Sequence, residues 1–289
     1  MNNIPQPIRY QGWSLNDREP DTIKSFMPAY AWAYHHYFRV QTGGWHHIPQ
    51  HEPVLFVGSH NGGLAAPDMH MFIYDWYRRF GYERQIYGLM HPKVWDVLPP
   101  LAQTAAKFGA VRAHPKMAIA ALRAQASVLV YPGGAKDTFR PYYLGDRIYF
   151  GGHQGFIKLA LRERVPIVPV ISWGAHQTFV VLADLYRQVQ QLHQWGMPWL
   201  LNIDPEVFPI YLGWPWGLAV GPLPHIPWPV QIYTRVCPPI KFEAYGRDTL
   251  ADSAYVDTCY NQVVDQMQMA LTNLIAEAKS SPPGGCSAG

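Results

Sequence analysis

The chain has 289 residues, a formal net charge of +3 and a strongly aromatic composition: Phe, Trp and Tyr make up 14% of it, and charged residues only 15%. The lysines and arginines are scattered, which argues against a nucleic-acid partner. Three isolated cysteines argue against a disulfide framework, and no signal peptide or transmembrane run is visible. We therefore expect a protein that is not secreted, whose aromatic side chains fill a large core or meet a lipid interface.

The N-terminal region is predicted to contain an aromatic helix. Residues 1–20 are a polar lead-in, and residues 21–279 form the main domain. A helix is predicted over residues 27–40, with Pro28 in its first turn, because nothing breaks the run before the next glycines. Its rings surround the helix on nearly all sides. Such a helix packs on two sides or lies on a membrane.

Buried strands alternate with helices through the middle of the chain, which predicts the α/β class. The predicted strands span residues 54–57, 85–89, 127–131, 166–172 and 231–236. The predicted helices span residues 68–80, 94–108, 115–124, 156–164 and 251–279. Two prolines in the fourth strand suit the start and the edges of a strand.

The C-terminal third contains an uncharged, ring-rich stretch. Residues 205–230 hold three tryptophans, and six prolines lie from Pro209 to Pro229; no Asp, Glu, Lys or Arg lies between Glu206 and Arg235. Because the prolines forbid a continuous helix, we predict an apolar loop that dips into a lipid interface or lines an acyl channel. A loop packed on the core is the alternative. Residues 280–289 are predicted to be a disordered tail.

A histidine follows the first buried strand. His60 lies on a glycine-rich loop that contains Gly62 and Gly63, and a helix begins near Asp68. A neutral imidazole has a pKa near 6.5, which suits a general base that takes a proton from a hydroxyl. Asp68 could bind the other ring nitrogen, although an acid in the first turn of a helix often only complements the helix dipole. A histidine that merely caps the helix is also open at this point.

Other kinds of site find little support. The nearest approach to the G-x-S-x-G elbow of serine hydrolases, around Ser172, lacks the first glycine. No P-loop or dinucleotide fingerprint is present. The histidine pairs 35–36 and 46–47 have no carboxylate nearby to complete a metal site, so we predict no metal.

The order of blocks resembles the lysophospholipid/glycerolipid acyltransferase superfamily over roughly residues 40–240. The His60 loop is similar to that family's H-x(4)-D block, although the first acid here gives H-x(7)-D. The segment Tyr131–Lys136, with sequence YPGGAK, corresponds to the family's F-P-E-G-T-R block. Residues 165–170 match V-P-I-V-P-V outright, and Gly109–Arg112 faintly echo the second block. The resemblance implies a layered αβα acyltransferase-like fold in one domain, with a mostly parallel central sheet.

The departures from the family pattern concern the acceptor. Glu of the third block is replaced by Gly133, and Arg by Lys136. An arginine fork binds phosphate through two bonds, whereas lysine is a point charge, so a neutral acceptor is favoured. P-G-G versions resemble the neutral-lipid branch, which includes type-2 diacylglycerol acyltransferases and phytyl ester synthases. Lys136 and Arg140 would meet the phosphates of coenzyme A or only solvent.

The resemblance implies a membrane-associated O-acyltransferase on the cytoplasmic side, peripheral or monotopic, with no cofactor other than an acyl-CoA or acyl carrier protein co-substrate. The acceptor would be diacylglycerol, or a prenyl alcohol or quinol such as phytol or plastoquinol. His60 and Asp68 are the expected catalytic residues. The expected substrate-binding residues are Asn61, Gly62, Gly63, Tyr131, Gly133, Gly134, Lys136 and Arg140.

Two alternatives remain open on the sequence. One is a 1-acylglycerol-3-phosphate or lysophospholipid acyltransferase, which would act on a phosphorylated acceptor. The other is a non-catalytic lipid-binding protein at the membrane surface, built on the same fold. The sequence leaves the oligomeric state undetermined.

Overall fold

The structure is a computed structural model that describes residues 9–199 and 204–280. Within those residues, ten strands form two sheets and nine α-helices accompany them. The strands are β1 Gln41–Gly43, β2 Leu55–Gly58, β3 Ile86–Met90, β4 Ala110–Arg112, β5 Ser127–Val130, β6 Ile167–Trp173, β7 Val180–Asp184, β8 Pro209–Gly213, β9 Gly217–Val220 and β10 Tyr233–Val236. The helices are α1 Pro20–Trp32, α2 Pro67–Phe80, α3 Pro92–Val97, α4 Pro99–Lys107, α5 Pro115–Arg123, α6 Gly134–Thr138, α7 Gly155–Glu163, α8 Tyr186–Gln194 and α9 Ser253–Ser280.

The large sheet has seven strands in the order β1-β10-β6-β2-β5-β3-β4. Strands β6, β2, β5, β3 and β4 are parallel to one another, while β10 pairs antiparallel with β6. The predicted α/β class with a mostly parallel sheet is therefore confirmed. All four residues of β2 are buried, as expected for a strand whose two faces are both covered by helices.

Helices cover the two faces of the large sheet as separate layers. Leu55 and Val57 point to one face, where they join a cluster built with α5, α7 and α9. Phe56 points to the opposite face, because successive side chains of a strand alternate, and packs there with Phe72 and Trp76 of α2. This is the expected αβα layering.

The aromatic N-terminal helix begins earlier than the predicted span of 27–40. Helix α1 begins at Pro20, which occupies the first helical position, where a backbone N–H is not needed. Pro28 lies inside the helix, not in its first turn, and a single π-helical turn follows over residues 33–37. Tyr34 in that turn is buried against α2, so this part of the helix packs on the protein.

The described part of the lead-in is ordered by contacts with the main domain. The buried Asp17 carboxylate accepts the backbone N–H of Tyr10 at 2.9 Å. The Tyr87 hydroxyl of β3 donates to the carbonyl of Leu15 at 3.0 Å. Residues 9–19 therefore pack as part of the fold. The rest of the predicted lead-in, and the predicted tail apart from Ser280 at the end of α9, lie outside the described residues.

Prolines account for two further differences from the predicted elements. The predicted helix 94–108 is two helices, α3 and α4, because Leu98 leaves the helical conformation, with φ −127° and ψ +59°, before Pro99. Strand β6 lies inside the sheet and not at an edge, so Pro169 sits in a strand paired on both sides. The carbonyl of Pro169 accepts the N–H of Cys237 at 2.9 Å.

The predicted apolar loop at 205–230 contains two strands, β8 and β9, with irregular segments around them. Strands β7, β8 and β9 form a small antiparallel sheet, in which β8 and β9 are a hairpin. Tyr211 and Ala219 alternate inward and are buried, while Leu212 and Leu218 alternate outward and are exposed. The side chains of Leu182, Leu212, Leu218 and Val220 define the apolar outer face of the small sheet. None of the described helices combines the length and the apolar character that a membrane crossing needs.

Candidate active site

Two loops meet at the carboxyl edge of the large sheet. Strand β2 ends at Gly58, two residues before His60, and β5 ends at Val130, directly before Tyr131. These strands are parallel neighbours with Val57 opposite Val130, so their carboxyl ends lie side by side. Ligands of open α/β sheets bind at this edge. The topology therefore brings the predicted His60 loop and the predicted YPGGAK loop together.

His60 is a partly buried, neutral histidine. Its ring lies beside the Tyr131 ring, with 5.0 Å between the centroids. Its Nδ1 atom is buried and has no hydrogen-bond partner among the described residues. Burial, followed by the positive charge of Arg140, lowers the pKa of His60 to about 4. At neutral pH the imidazole is therefore uncharged and can accept a proton.

The predicted hydrogen bond between Asp68 and the His60 ring is not formed. The Asp68 carboxylate accepts the side-chain amide of Asn61 and the backbone N–H of Met69, each at 2.9 Å. The longer H-x(7)-D spacing is taken up by a helical turn ending at Ala66, whose φ is +36°, and this places Asp68 at the start of α2. Burial raises the pKa of Asp68 to about 7. Its direct contacts are thus with Asn61 and with the first turn of α2, and not with the His60 ring.

Arg140 is an internal residue and does not face a coenzyme A phosphate. It is only 4% exposed. Its guanidinium donates to the carbonyl of His60 at 2.6 Å, the carboxylate of Asp137 at 2.7 Å and the side-chain carbonyl of Asn61 at 2.6 Å. It also donates to the carbonyls of Leu144 and Gly145. The prediction that Arg140 meets phosphates or solvent is therefore wrong.

Asn61 is a connector between these charged groups. Its carbonyl oxygen accepts from Arg140, and its amide donates to the carbonyl of Ser59 at 2.8 Å and to Asp68. The residue is 2% exposed, so its hydrogen-bonding capacity is directed into the protein. The predicted role of Asn61 in binding substrate is not supported by these contacts.

Asp137 is a functional candidate that the sequence analysis missed. Its carboxylate is completely buried and accepts the backbone N–H of His60 at 2.6 Å. It also lies 3.4 Å from the Ser59 hydroxyl. Burial raises the pKa of Asp137 to about 6, while the ion pair with Arg140 opposes this shift. An available signal was an acid and an arginine spaced three residues apart, with the acid three residues after the Gly-Gly pair.

The glycines of the two loops allow close packing. Gly62 and Gly63 have φ of +76° and +60°, and a side chain on either would collide with the 175–179 turn, Pro67 or His225. A Cβ on Gly133 would lie 2.2 Å from the Cβ of Asp137. Gly134 has open space and φ of +59°, and its N–H is 3.5 Å from the carbonyl of Tyr131. These contacts explain the glycines by packing and conformation, without a substrate.

Two side chains of the second loop remain available to a ligand. Lys136 is exposed on α6, as expected for a residue that meets a phosphate or solvent. The Tyr131 hydroxyl makes no hydrogen bond within residues 9–199 and 204–280, although its ring lies between Gly58 and His60. Burial, with the nearby Asp68 carboxylate, raises the pKa of the Tyr131 phenol well above its usual value. The phenol therefore stays protonated and can donate a hydrogen bond.

A second buried histidine lies on the other side of the Asn61 connector. His176 is 8% exposed, and both its ring nitrogens lack a partner among the described residues. With Asn61, Ser172 and Trp173 it lines a cavity of about 50 Å³. Burial lowers the pKa of His176 to about 3.

Within the described residues, His, Cys, Asp and Glu side chains form no group of three that fits a metal ion.

Comparison with known proteins finds one family model that is similar to the part of the chain that holds the two site loops. Residues 39–173 match the family model described as Acyltransferase, and the matched stretch runs from just before β1 to the end of β6. It includes both site loops and the whole network from His60 to Arg140. The stretch that carries the site is therefore similar to the acyltransferase family.

The individual relatives are distant. Uncharacterised proteins of Mycobacterium bovis and Mycobacterium leprae are 26% and 25% identical over 240 residues, or 83% of this chain. The chain spans 63% and 61% of the length of those relatives. Among solved structures, the 1-acyl-sn-glycerophosphate (LPA) acyltransferase PlsC of Thermotoga maritima aligns with 86% of this chain and 78% of its own, at 14% identity and a TM-score of 0.46.

Proposed function

We propose that the protein is a membrane-associated O-acyltransferase. It moves a fatty acyl group from coenzyme A or acyl carrier protein to the hydroxyl of a lipophilic, uncharged acceptor. Diacylglycerol, or a prenyl alcohol or quinol such as phytol or plastoquinol, has the required chemistry. The observation that carries the proposal is a neutral histidine at the carboxyl edge of the sheet, inside the stretch that matches the acyltransferase family.

In the proposed reaction His60 is the general base. It takes the proton of the acceptor hydroxyl as the oxygen attacks the thioester carbonyl. The C–S bond then breaks, and the thiolate leaves and takes up the proton from His60, so an ester and a free thiol are formed. Nδ1 of His60 has no carboxylate partner among the described residues. Burial and the positive charge of Arg140 disfavour the imidazolium, so the proton passes readily to the departing thiolate.

Tyr131 is the candidate donor to the developing oxyanion. Its phenol is protonated, unpartnered within the described residues, and adjacent to the His60 ring. A hydrogen bond aimed at the charge that develops in the transition state is a large catalytic contribution. The backbone N–H of His60 and the amide of Asn61, by contrast, are already occupied by Asp137 and Asp68.

The charges around the site favour a neutral acceptor. Arg140 is the cation beside His60, and the carboxylate of Asp137 neutralises it. A phosphate group would therefore rely on the exposed Lys136. A single lysine gives a weaker and less directional phosphate contact than an arginine fork. A phosphorylated acceptor remains an outcome that the experiment below distinguishes.

The apolar outer face of the small sheet is the proposed membrane contact. An antiparallel sheet with one solvated face normally carries polar residues there, whereas this face carries leucine and valine, and Trp214 and Trp216 are exposed at the hairpin turn. On the inner side, Tyr211 and Ala219 pack with Phe139, next to α6. A bilayer on the outer face would thus lie close to the site loops. The scattered cysteines suit the cytoplasmic side.

The test is a transfer assay with the purified protein and one radiolabelled acyl-CoA. Vesicles carry diacylglycerol, phytol or lysophosphatidate in turn, and the labelled esters are separated by thin-layer chromatography. Labelled ester with a neutral acceptor supports the proposal. Ester with lysophosphatidate alone replaces the neutral acceptor with a phosphorylated one, and vesicle binding without any ester points to a non-catalytic lipid-binding protein.

A further inference from the structure

The geometry points to Asp137 and Arg140 as positioning residues that hold His60 by its backbone. This inference rests on the proposed role of His60 as the general base. In many histidine sites a carboxylate hydrogen-bonded to the imidazole ring orients the histidine. Here a buried ion pair in the second loop takes that orienting role. Neither residue is argued to touch the substrate.

The ion pair forms hydrogen bonds with both the backbone N–H and the backbone carbonyl of His60. The Asp137 carboxylate accepts the His60 N–H at 2.6 Å, and the Arg140 guanidinium donates to the His60 carbonyl at 2.6 Å. The two side chains bind each other at 2.7 Å. With both peptide groups of His60 fixed, the direction of its Cα–Cβ bond is fixed, while the ring nitrogens stay free for proton transfer.

The second loop is shaped to admit this acid. The position where a Cβ on Gly133 would stand lies 2.2 Å from the Cβ and 2.7 Å from the carboxyl carbon of Asp137. A glutamate at 133, as in the family pattern, is therefore incompatible with the observed placement of Asp137. The two features belong together: the acid of this loop has moved from position 133 to 137 and now faces the protein interior.

Asp68 is connected to this ion pair indirectly, through Asn61. Arg140 donates to the Asn61 carbonyl oxygen at 2.6 Å, and the Asn61 amide donates to Asp68 at 2.9 Å. The carboxylate that was expected to orient the His60 ring thus acts through Asn61 on the guanidinium. A chain of hydrogen bonds joins the start of α2 to both site loops.

The molecule offers a matched control pair on α2. Asp75 is also completely buried and pairs with Arg78 three residues later, at 2.5 Å. This second pair has the same sequence spacing and lies in the same chain. Its other partners are Arg79, Tyr34 and Thr42, and none of its hydrogen bonds reaches His60. A loss of stability common to buried carboxylates that pair with an arginine will appear in both.

The experiment compares D137N and R140K with D75N in the full-length protein. Thermal unfolding and steady-state acyl transfer are measured for each, and D137N is repeated in an H60Q background. We expect D137N and R140K to lower kcat about 100-fold with KM unchanged, since a shift of about 1 Å in a catalytic group costs that much. D75N should lose thermal stability with kcat unchanged. In the H60Q background, D137N should have no further effect.

Backbone amide NMR supplies a readout that does not depend on activity. A short hydrogen bond to a carboxylate should place the His60 amide proton far downfield, and D137N alone should move it upfield. Equal kcat for D137N, R140K and D75N, or an undiminished effect of D137N without His60, overturns the inference. If D137N does not fold, R140K carries the test. Wild-type kcat in H60Q alone contradicts the proposed function instead.

Discussion

Two regions of the molecule differ in their content of charged residues: the carboxyl edge of the large sheet, and the small sheet. At the carboxyl edge, buried charges are connected by hydrogen bonds from Asp137 through Arg140 and Asn61 to Asp68. The small sheet keeps an apolar surface toward solvent, free of ionisable Asp, Glu, Lys and Arg between Glu206 and Arg235.

Under the proposed function, this difference corresponds to two tasks. A proton-transfer site needs a histidine whose orientation is fixed, and a buried ionic network supplies that at a cost in desolvation. A lipid-binding face needs apolar area and tolerates loose packing, and the antiparallel hairpin provides it by alternation of side chains. The inner side of the small sheet, where Phe179 stacks on His225 and packs near Gly63, joins the two regions.

The strongest contrast should come from the two sides of one strand. Ala219→Asp places a charge on the buried inner side of β9 and should lower the free energy of unfolding by about 4 kcal/mol. Leu218→Asp, one residue away on the outer face, should change it by less than about 0.5 kcal/mol. It should nevertheless weaken vesicle binding about tenfold, since burial of a leucine is worth roughly 1.5 kcal/mol or more. Denaturant unfolding and vesicle flotation measure the two effects.

A similar contrast within the site loop concerns its two glycines. Gly133→Ala puts a Cβ 2.2 Å from Asp137 and should cost about 3 kcal/mol of unfolding free energy. Gly134→Ala meets open space and bears only the strain of φ +59°, about 1 kcal/mol. Urea unfolding of both variants checks this order. Equal costs would show that Gly133 is not constrained by Asp137.

Removal of one hydroxyl tests the oxyanion assignment. Tyr131→Phe keeps the ring against His60 and deletes the donor, so kcat should fall about 100-fold with little change in thermal stability. Tyr142→Phe is the control, because Tyr142 is exposed and lies in the same loop region. An unchanged kcat in the Tyr131 variant would assign the oxyanion to another donor.

The smallest expected signal is the titration of His60 itself. Burial lowers its pKa to about 4, so the ring should stay neutral at pH 6 and gain a proton only well below the unfolded value of 6.5. Between those two values the unfolded chain binds this proton and the folded one does not, so this group makes the protein less stable as the pH falls. NMR titration of labelled histidines should show the low midpoint. A midpoint near 6.5 would mean that the ring is solvated.

The fold was largely predictable because hydrophobic runs identify buried strands without knowledge of their neighbours. The runs at 54–57 and 127–131 became the adjacent parallel strands β2 and β5. The small sheet was not predictable from its prolines. The turn of its β8–β9 hairpin contains Trp214 and Pro215. A proline-rich stretch is typical of a loop, and the sequence does not show which strands pair.

The site was predictable only in part. The sequence singled out the His60 loop and the second loop, which the fold brings together, because glycines and a histidine after buried strands are local signals. It misassigned Arg140, because burial of a charged group depends on a partner elsewhere in the fold, and it overlooked Asp137 for the same reason. The loop geometry that turns Asp68 away from the ring arises at Ala66, and the sequence spacing alone does not specify that geometry.

The central claim is that His60 performs the proton transfer in acyl transfer to a neutral lipid hydroxyl. The most direct test compares wild-type protein with His60→Gln in the vesicle assay with diacylglycerol and phytol, with thermal unfolding as a check on folding. The account predicts a loss of kcat of about 10³-fold with an intact fold. Ester formation at the wild-type rate by the folded variant would contradict it.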